Sequence, residues 1–287
     1  MDRFAVIDIG SNSVRLMFVA DGKVLYKRVN TTRLGEGIAT RAILQDVAIE
    51  RTARAVADFY AAAKCEGAQS VFAFATAAVR AAENGKAFVA RVRELCGLDV
   101  EIISGETEAE LGVLGALGDK DGAVIDLGGA SCELVVRRNA AIIYKKSVDV
   151  GVVRLKDTCG RDKAALKQAS ILAVKEYGEI PTLRQATAIG GTATTLAALK
   201  LGLEKYDSLK ITGTSISLEE MQTLADTLLR LSVEEIAAFP CMPKGRADVL
   251  AGGATLLAVL MKELGIETLV VSDEDNLEGY AVKKGLL

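Results

Sequence analysis

Ala5-Val6-Ile7-Asp8-Ile9-Gly10-Ser11-Asn12-Ser13-Val14-Arg15-Leu16 returns later in the chain as Ala123-Val124-Ile125-Asp126-Leu127-Gly128-Gly129-Ala130-Ser131-Cys132-Glu133-Leu134. Seven of the twelve positions are identical, and the second Asp follows the first by 118 residues, from position 8 to position 126. Solenoid and propeller repeats have periods of about 20–50 residues, so this is the spacing of a duplicated domain. Each copy reads as an apolar strand ending in Asp, a turn of Gly and Ser, and a second apolar strand. A turn with so little side-chain cover exposes backbone N–H groups and small hydroxyls, which suit phosphate oxygens. Read singly, Asp-x-Gly is an ordinary hairpin turn. Its repetition, with the Asp, Gly and Ser retained, argues for two grips on a phosphorylated ligand from opposite sides of a cleft.

The 287 residues suffice for two domains of ordinary size, and half of them are apolar. The formal net charge is −3, so no whole-chain basic field draws the protein to nucleic acid. The densest apolar run, Ala254 to Met261, is too short to span a bilayer and leads into Lys262-Glu263, so no membrane partner is expected. The N-terminus enters a strand without a charged n-region, which gives no sign of a secretory signal. Five scattered cysteines (Cys65, Cys96, Cys132, Cys159, Cys241), without Cys-x-x-Cys spacing, fit a reduced cytoplasm. The chain has no histidine. That excludes a His general base, a Ser-His-Asp triad, a phosphohistidine and a His metal site. Catalysis would rest on carboxylates, a hard cation, Lys or Tyr.

The hydrophobic pattern predicts three strands near 4–9, 14–20 and 22–29, a Gly-rich loop from Thr31 to Gly37, and a helix from about Asp46 to Lys64. A buried strand at Val71–Ala75, a helix through Phe88, Val89 and Val92, and a strand from Val100 to Ile103 follow. Ser104 is placed as an N-cap, with Glu106 and Glu108 in the first turns of its helix. Gly118 to Gly122 marks the boundary between residues 1–120 and 121–287. The three-strand opening then recurs near 122–127, 131–137 and 140–147. A helix from Asp162 to Tyr177, a strand at Ala186–Ile189 and a helix opened by Gly190-Gly191-Thr192 come next. Helices near 217–231, 233–238 and 246–263, a strand at 268–271 and a last helix at about 274–287, expected to cross back to the first domain, complete the chain. Alternating strands and helices in both halves imply an α/β architecture.

Paired Asp-x-Gly hairpins followed by Gly-Gly-Thr resemble the actin/hexokinase/Hsp70 ATPase superfamily. Within it, the ordered set Asp8-Ile-Gly-Ser-Asn-Ser13, Arg33-Leu-Gly-Glu-Gly37, Ala75-Thr-Ala-Ala-Val-Arg80, Ser104-Gly-x-x-Glu108, Asp126-x-Gly-Gly-x-Ser-x-Glu133, Gly151-Val-Val-Arg154, Gly190-Gly-Thr192 and Ser272-Asp273 resembles the exopolyphosphatase/guanosine pentaphosphate phosphohydrolase (Ppx/GppA) family across essentially the whole chain. The resemblance implies two duplicated ribonuclease H-like domains of the actin type with an active site between them. It implies a hydrolase that releases terminal orthophosphate from inorganic polyphosphate with Mg²⁺ or another divalent cation. The alternative substrate is the 5′-phosphate of guanosine pentaphosphate (pppGpp). A nucleotide-binding regulator or assembly protein with weak hydrolysis is the alternative of another class, and a small-molecule kinase lacks a distinct acceptor motif. The expected partners are therefore polyphosphate or guanosine penta/tetraphosphate, and a homodimer is common in such a family.

By this resemblance Glu108 is the base that positions or deprotonates water, and Asp126 and Glu133 are the other catalytic carboxylates. Asp126, Glu133 and Asp8, the counterpart of Asp126, are the expected metal ligands. Ser11, Asn12, Ser13, Gly128, Gly129 and Ser131 would supply donors to phosphate, with Arg15, Arg33 and Arg80 as cationic clamps. Gly190, Gly191 and Thr192 form either an anion or nucleotide seat at a helix start or a tight packing turn. Three departures from the family pattern stand out. Ala130 replaces a third Gly, Glu110 stands where an Arg often follows the glutamate, and Asp273-Glu274-Asp275-Asn276-Leu277-Glu278-Gly279 replaces Asp-x-Gly-Leu-Arg-Glu-Gly. Two fewer cations weaken the grip on a long polyanion.

Overall fold

A computed structural model of the chain describes residues 2–287. The first half runs β1 (Arg3–Ile9), β2 (Ser13–Ala20), β3 (Lys23–Thr31), α1 (Asp46–Cys65), β4 (Ser70–Ala75), α2 (Ala77–Ala81), α3 (Gly85–Cys96), β5 (Glu101–Ile102) and α4 (Gly105–Leu117). The second begins with β6 (Gly122–Leu127), β7 (Cys132–Arg138), β8 (Ala141–Val148), α5 (Val152–Cys159), α6 (Lys163–Glu176), β9 (Gln185–Ile189) and α7 (Gly190–Lys200). It continues with α8 (Ser208–Ile211), β10 (Ser215–Ser217), α9 (Leu218–Arg230), α10 (Val233–Ala237), α11 (Ala247–Leu264), β11 (Thr268–Val271) and α12 (Asn276–Lys283).

The sheets have the same plan. One is ordered β3-β2-β1-β4-β5 and the other β10-β11-β9-β6-β7-β8, so β6, β7, β8 and β9 repeat β1, β2, β3 and β4. In each, an antiparallel hairpin pair leads to a parallel central strand. The register slips once in each copy, between Phe18 and Val19 and between Val136 and Arg137, again 118 residues apart. Duplication therefore extends to a bulge that the sequence repeat does not show. This is the duplicated actin-like α/β architecture that the paired hairpins imply. Ser104 does cap α4, its side chain accepting from the Thr107 amide, and Ser217, Ser232 and Asp275 close capping boxes on α9, α10 and α12.

The two halves are laced together at the base of the cleft. One face of α4 carries Ala109 and Val113 against Val124, Val135 and Ile189 of the second sheet. Leu111, on its other face, joins Leu277, Tyr280 and Ala281 of α12 in a core with Val6, Met17 and Phe74 of the first sheet. Tyr280 stacks on Phe74, with centroids 4.8 Å apart. The helix that ends the chain thus covers the sheet that begins it. Helices α4 and α12 approach backbone to backbone through Gly115 and Gly279, where an added Cβ would overlap the Asp275 and Leu111 carbonyls respectively. Across the mouth of the cleft, Asp248 bridges Arg33 (2.9 Å) and Lys156 (2.8 Å), and the Gly37 amide donates to Asp157 (2.8 Å).

Replacing Gly279 with Ala forces the crossing apart and is expected to cost about 3 kcal/mol in urea unfolding. Gly22→Ala, at an open turn with φ +70°, is expected to cost about 1 kcal/mol. Equal costs would show that the crossing relaxes freely.

Candidate active site

The two repeated turns close identically: the Gly10 amide donates to the Ser13 carbonyl at 3.0 Å, and the Gly128 amide to the Ser131 carbonyl at 3.0 Å. Each is then clasped from outside. Amides of Thr32, Arg33 and Gly35 donate to the carbonyls of Asn12 and Ser11. Amides of Val152 and Val153 at the start of α5 donate to those of Gly128 and Gly129. With the carbonyls engaged outward, the amides of Ser11, Asn12, Gly129 and Ala130 find no backbone acceptor among the described residues. The turns meet tip to tip, so closely that a Cβ on Gly129 would lie 2.7 Å from that of Ser11. Facing donors in this arrangement form an anion-binding nest.

Beside the tips opens a cavity of about 560 Å³. Asp8, Glu108 and Asp126 line it, together with both turns, Gly190–Thr192, Lys27 and Arg246. All three carboxylates are buried. Burial pushes the Glu108 carboxyl up to about 7, with Arg80 pulling against it and Asp126 adding repulsion. Burial, reinforced by Asp275, pushes Asp126 up to about 6, while Arg15 and the Asn276 amide favour its charged form. Burial also raises Asp8, and Arg15 opposes it. Desolvation and the charges of Glu108 and Asp126 push Glu133 well above the carboxylate range. Against its own burial, Arg15 and Lys27 hold Asp275 low.

The expected site residues separate into two groups. Ser11, Asn12, Ser13, Arg15, Gly128, Gly129, Ser131, Gly190, Gly191, Thr192, Asp8, Glu108 and Asp126 are brought together around the cavity. Glu133, Arg33 and Arg80 lie outside its wall. Glu133, the cross-strand partner of Asp126, is buried and accepts from Ser147 Oγ at 2.6 Å. Arg33 reaches across the cleft mouth to Asp248, and Arg80 lies behind Glu108. Arg15 does line the cavity, yet its guanidinium is engaged by both Asp8 and Asp275, so its charge is spent within the protein. Of the expected metal ligands, Asp8 and Asp126 line the cavity and Glu133 does not. Asp8 is held by Arg15 and Glu133 by Ser147.

Sequence reading missed Arg246, Lys27 and Asn276. Arg246 forms no ion pair among the described residues and lies over Gly191, where an added Cβ would overlap its guanidinium. Burial and the nearby charge of Arg15 pull its pKa down to about 10. A desolvated guanidinium without a carboxylate is an anion receptor. Its sequence setting, Pro243-Lys244-Gly245-Arg246, reads merely as the start of a helix. Asn276 Nδ2 donates to Asp126 Oδ2 at 2.8 Å, a contact made across 150 residues.

The chain matches the Ppx/GppA phosphatase family over residues 15–286. It belongs to that family. It is 32% identical to exopolyphosphatase 2 of Mycobacterium tuberculosis over 315 residues, covering 98% of each chain. It is 26% identical over 301 residues to the guanosine-5′-triphosphate,3′-diphosphate pyrophosphatase of Pseudoalteromonas translucida, covering 99% of this chain and 58% of that one. Among solved structures, a Ppx/GppA family member from Aquifex aeolicus superposes with a TM-score of 0.78 at 28% identity, over 99% of this chain and 98% of the other. The family's hydrolytic chemistry and its two-domain cleft agree with the geometry described above.

Gly191→Ala would expel the Arg246 guanidinium from its seat. Pyrophosphate affinity, read by calorimetry, is expected to fall about tenfold, the loss of one charge-assisted contact. Unchanged affinity would show that Arg246 does not reach the anion.

Proposed function

We propose that this chain is an exopolyphosphatase that hydrolyses the terminal phosphoanhydride of inorganic polyphosphate and releases orthophosphate. The observation that carries the proposal is Glu108, a buried carboxyl with a pKa raised to about 7, placed in a cavity whose other wall is a nest of backbone donors. The full-length similarity to a protein named exopolyphosphatase supports the choice of substrate. The terminal phosphate sits in the cavity beside the tips of the turns, its oxygens accepting from the amides of Ser11, Asn12, Gly129 and Ala130. Arg246 and the amides at the start of α7 neutralise the growing charge. Glu108, poised between ionised and protonated at neutral pH, takes the proton of the attacking water. Asp126, held by Asn276, orients the phosphate side of the site.

A divalent cation fits this donor set as part of a substrate complex. Mg²⁺ is ordinarily held by one or two carboxylates together with phosphate oxygens. Asp126 and Asp8, both lining the cavity, are the carboxylates that would hold it. When bound, it would screen phosphate charge and polarise the scissile bond. The chain's own part is to hold the two carboxylates in place and to exclude water around them.

A second substrate reading has its own observation. The cavity lining also includes Val29, Tyr206, Pro240, Met242 and Pro243, apolar surface that favours a nucleoside end such as that of pppGpp.

The test is phosphate release from long-chain polyphosphate and from pppGpp by purified protein with Mg²⁺. The larger kcat/KM names the substrate, and no release from either overturns the proposal. Glu108→Gln is expected to lower kcat by about 10²–10⁴-fold with KM little changed. Because the carboxylate form is the active base, activity is expected to fall below about pH 7 and to level off above it. Chelation by EDTA is expected to abolish release and added Mg²⁺ to restore it.

A further inference from the structure

Arg80 follows a strand end in a motif that suggests a phosphate clamp, but the fold gives it another neighbour. Its Nη1 donates to Glu108 Oε2 at 2.9 Å and to the Ile103 carbonyl at 3.0 Å. Both anchors are firm. The Ile103 amide is tied to the Ala75 carbonyl at the end of β4, and the Arg80 amide to the Thr76 carbonyl at the start of α2. Glu108 lines the cavity and Arg80 does not. The guanidinium therefore meets Glu108 from outside the cavity lining.

The seat is built into the start of α4. A Cβ on Gly105 would stand 3.5 Å from Arg80 Nη2 and 3.0 Å from the Ser147 Cβ, so this glycine leaves the space in which Arg80 and Ser147 come together. Ser147 in turn holds Glu133 Oε1. Each of these two carboxylates thus has one oxygen secured by a donor outside the cavity wall. For Glu108 this leaves Oε1 to face the cavity.

We infer that Arg80 is a positioning residue for Glu108: it holds Oε2 and turns Oε1 toward the attacking water, without touching substrate. The inference rests on the hydrolytic reading above. Its electrostatic logic follows from what surrounds Glu108: Asp126 on β6 and Asp8 on β1 repel its charge, Glu133 on β7 competes with it for ionisation, and Arg80 on α2 supplies the opposing cation. Without that cation, crowding and burial would favour the protonated base at neutral pH.

The two roles for Arg80 predict opposite kinetics. A phosphate clamp contributes to substrate binding, so its loss raises KM. A positioning residue acts on the base, so its loss lowers kcat and moves the acid limb of the pH profile. Removing the cation raises the proton affinity of Glu108, so the limb moves to higher pH. For Arg80→Ala we expect kcat to fall about 10–100-fold, the loss of one hydrogen bond to a charged group, with KM within about twofold. Arg80→Lys restores part of the rate and returns the limb toward its original pH. Arg80→Gln, shorter and uncharged but still polar, gives the same reading if Arg80→Ala does not fold. A rise in KM of about tenfold with kcat and the acid limb unchanged would overturn the inference. Should the wild-type protein release no phosphate, the hydrolytic reading fails by itself, and Arg80 is still read without turnover. Carbon-detected NMR of ¹³C-glutamate protein, with Glu108 assigned by Glu108→Gln, follows the carboxyl titration directly. An upward move of that titration in Arg80→Gln supports the pairing, and an unmoved titration overturns it.

Discussion

The constraint on which the rest depends is the gathering of Asp8, Glu108, Asp126 and Glu133, all buried, around one cleft. Like charges so confined repel one another, and each loses its hydration. The surrounding structure answers residue by residue. Arg15 pairs with Asp8, Arg80 with Glu108, Ser147 with Glu133 and Asn276 with Asp126. The carboxyls still sit above their ordinary range, which is what a base working near neutral pH requires. In a chain with no histidine, crowding of carboxylates does the tuning that an imidazole would bring unaided.

Duplication supplied the frame, and divergence at one register position supplied the chemistry. In the first copy Asp8 faces Arg15 across β1 and β2; in the second Asp126 faces Glu133 across β6 and β7. The first pair is close to neutral and the second is doubly acidic. The pseudo-symmetry of the backbone, bulge included, is thereby turned into an electrostatic asymmetry between the two walls. Asp275 extends the first pair into an Asp8–Arg15–Asp275 cluster that ties the start of α12 to β2. Lys27 does the same from β3 to Asp273 and Glu278. The departure at 273–279 is thus a structural cross-link at the base of the cleft.

The two halves meet around that cleft at two kinds of contact. At the base, the α4–α12 crossing is packed too closely at Gly115 and Gly279 to slide. At the mouth, the contacts are the partly exposed ion pairs of Asp248 with Arg33 and Lys156. Pairs of that kind are individually weak and screened by salt. The arrangement places the tightly packed contact at the base and the labile one at the entrance.

Local chemistry was legible in the chain. The Asp-Gly-Ser turns, the Ser104 cap and the strand and helix periodicities depend on neighbours a few residues away, and those are written in order. The absence of histidine and the duplicated hairpins likewise pointed to carboxylate chemistry at a phosphate grip. Short elements such as β10, α5 and α8 carry too few residues to show a period, and the register bulge leaves no mark in composition. Which partner each charge takes was decided by tertiary structure alone. Arg15 to Asp275, Arg33 to Asp248, Asn276 to Asp126 and Arg246 over Gly191 are contacts across roughly fifty to 260 residues, made when separate elements pack. An arginine beside a glycine-rich motif has the same sequence whether it faces phosphate, a carboxylate or solvent. What separates these cases is the burial and charge of groups that meet it through space.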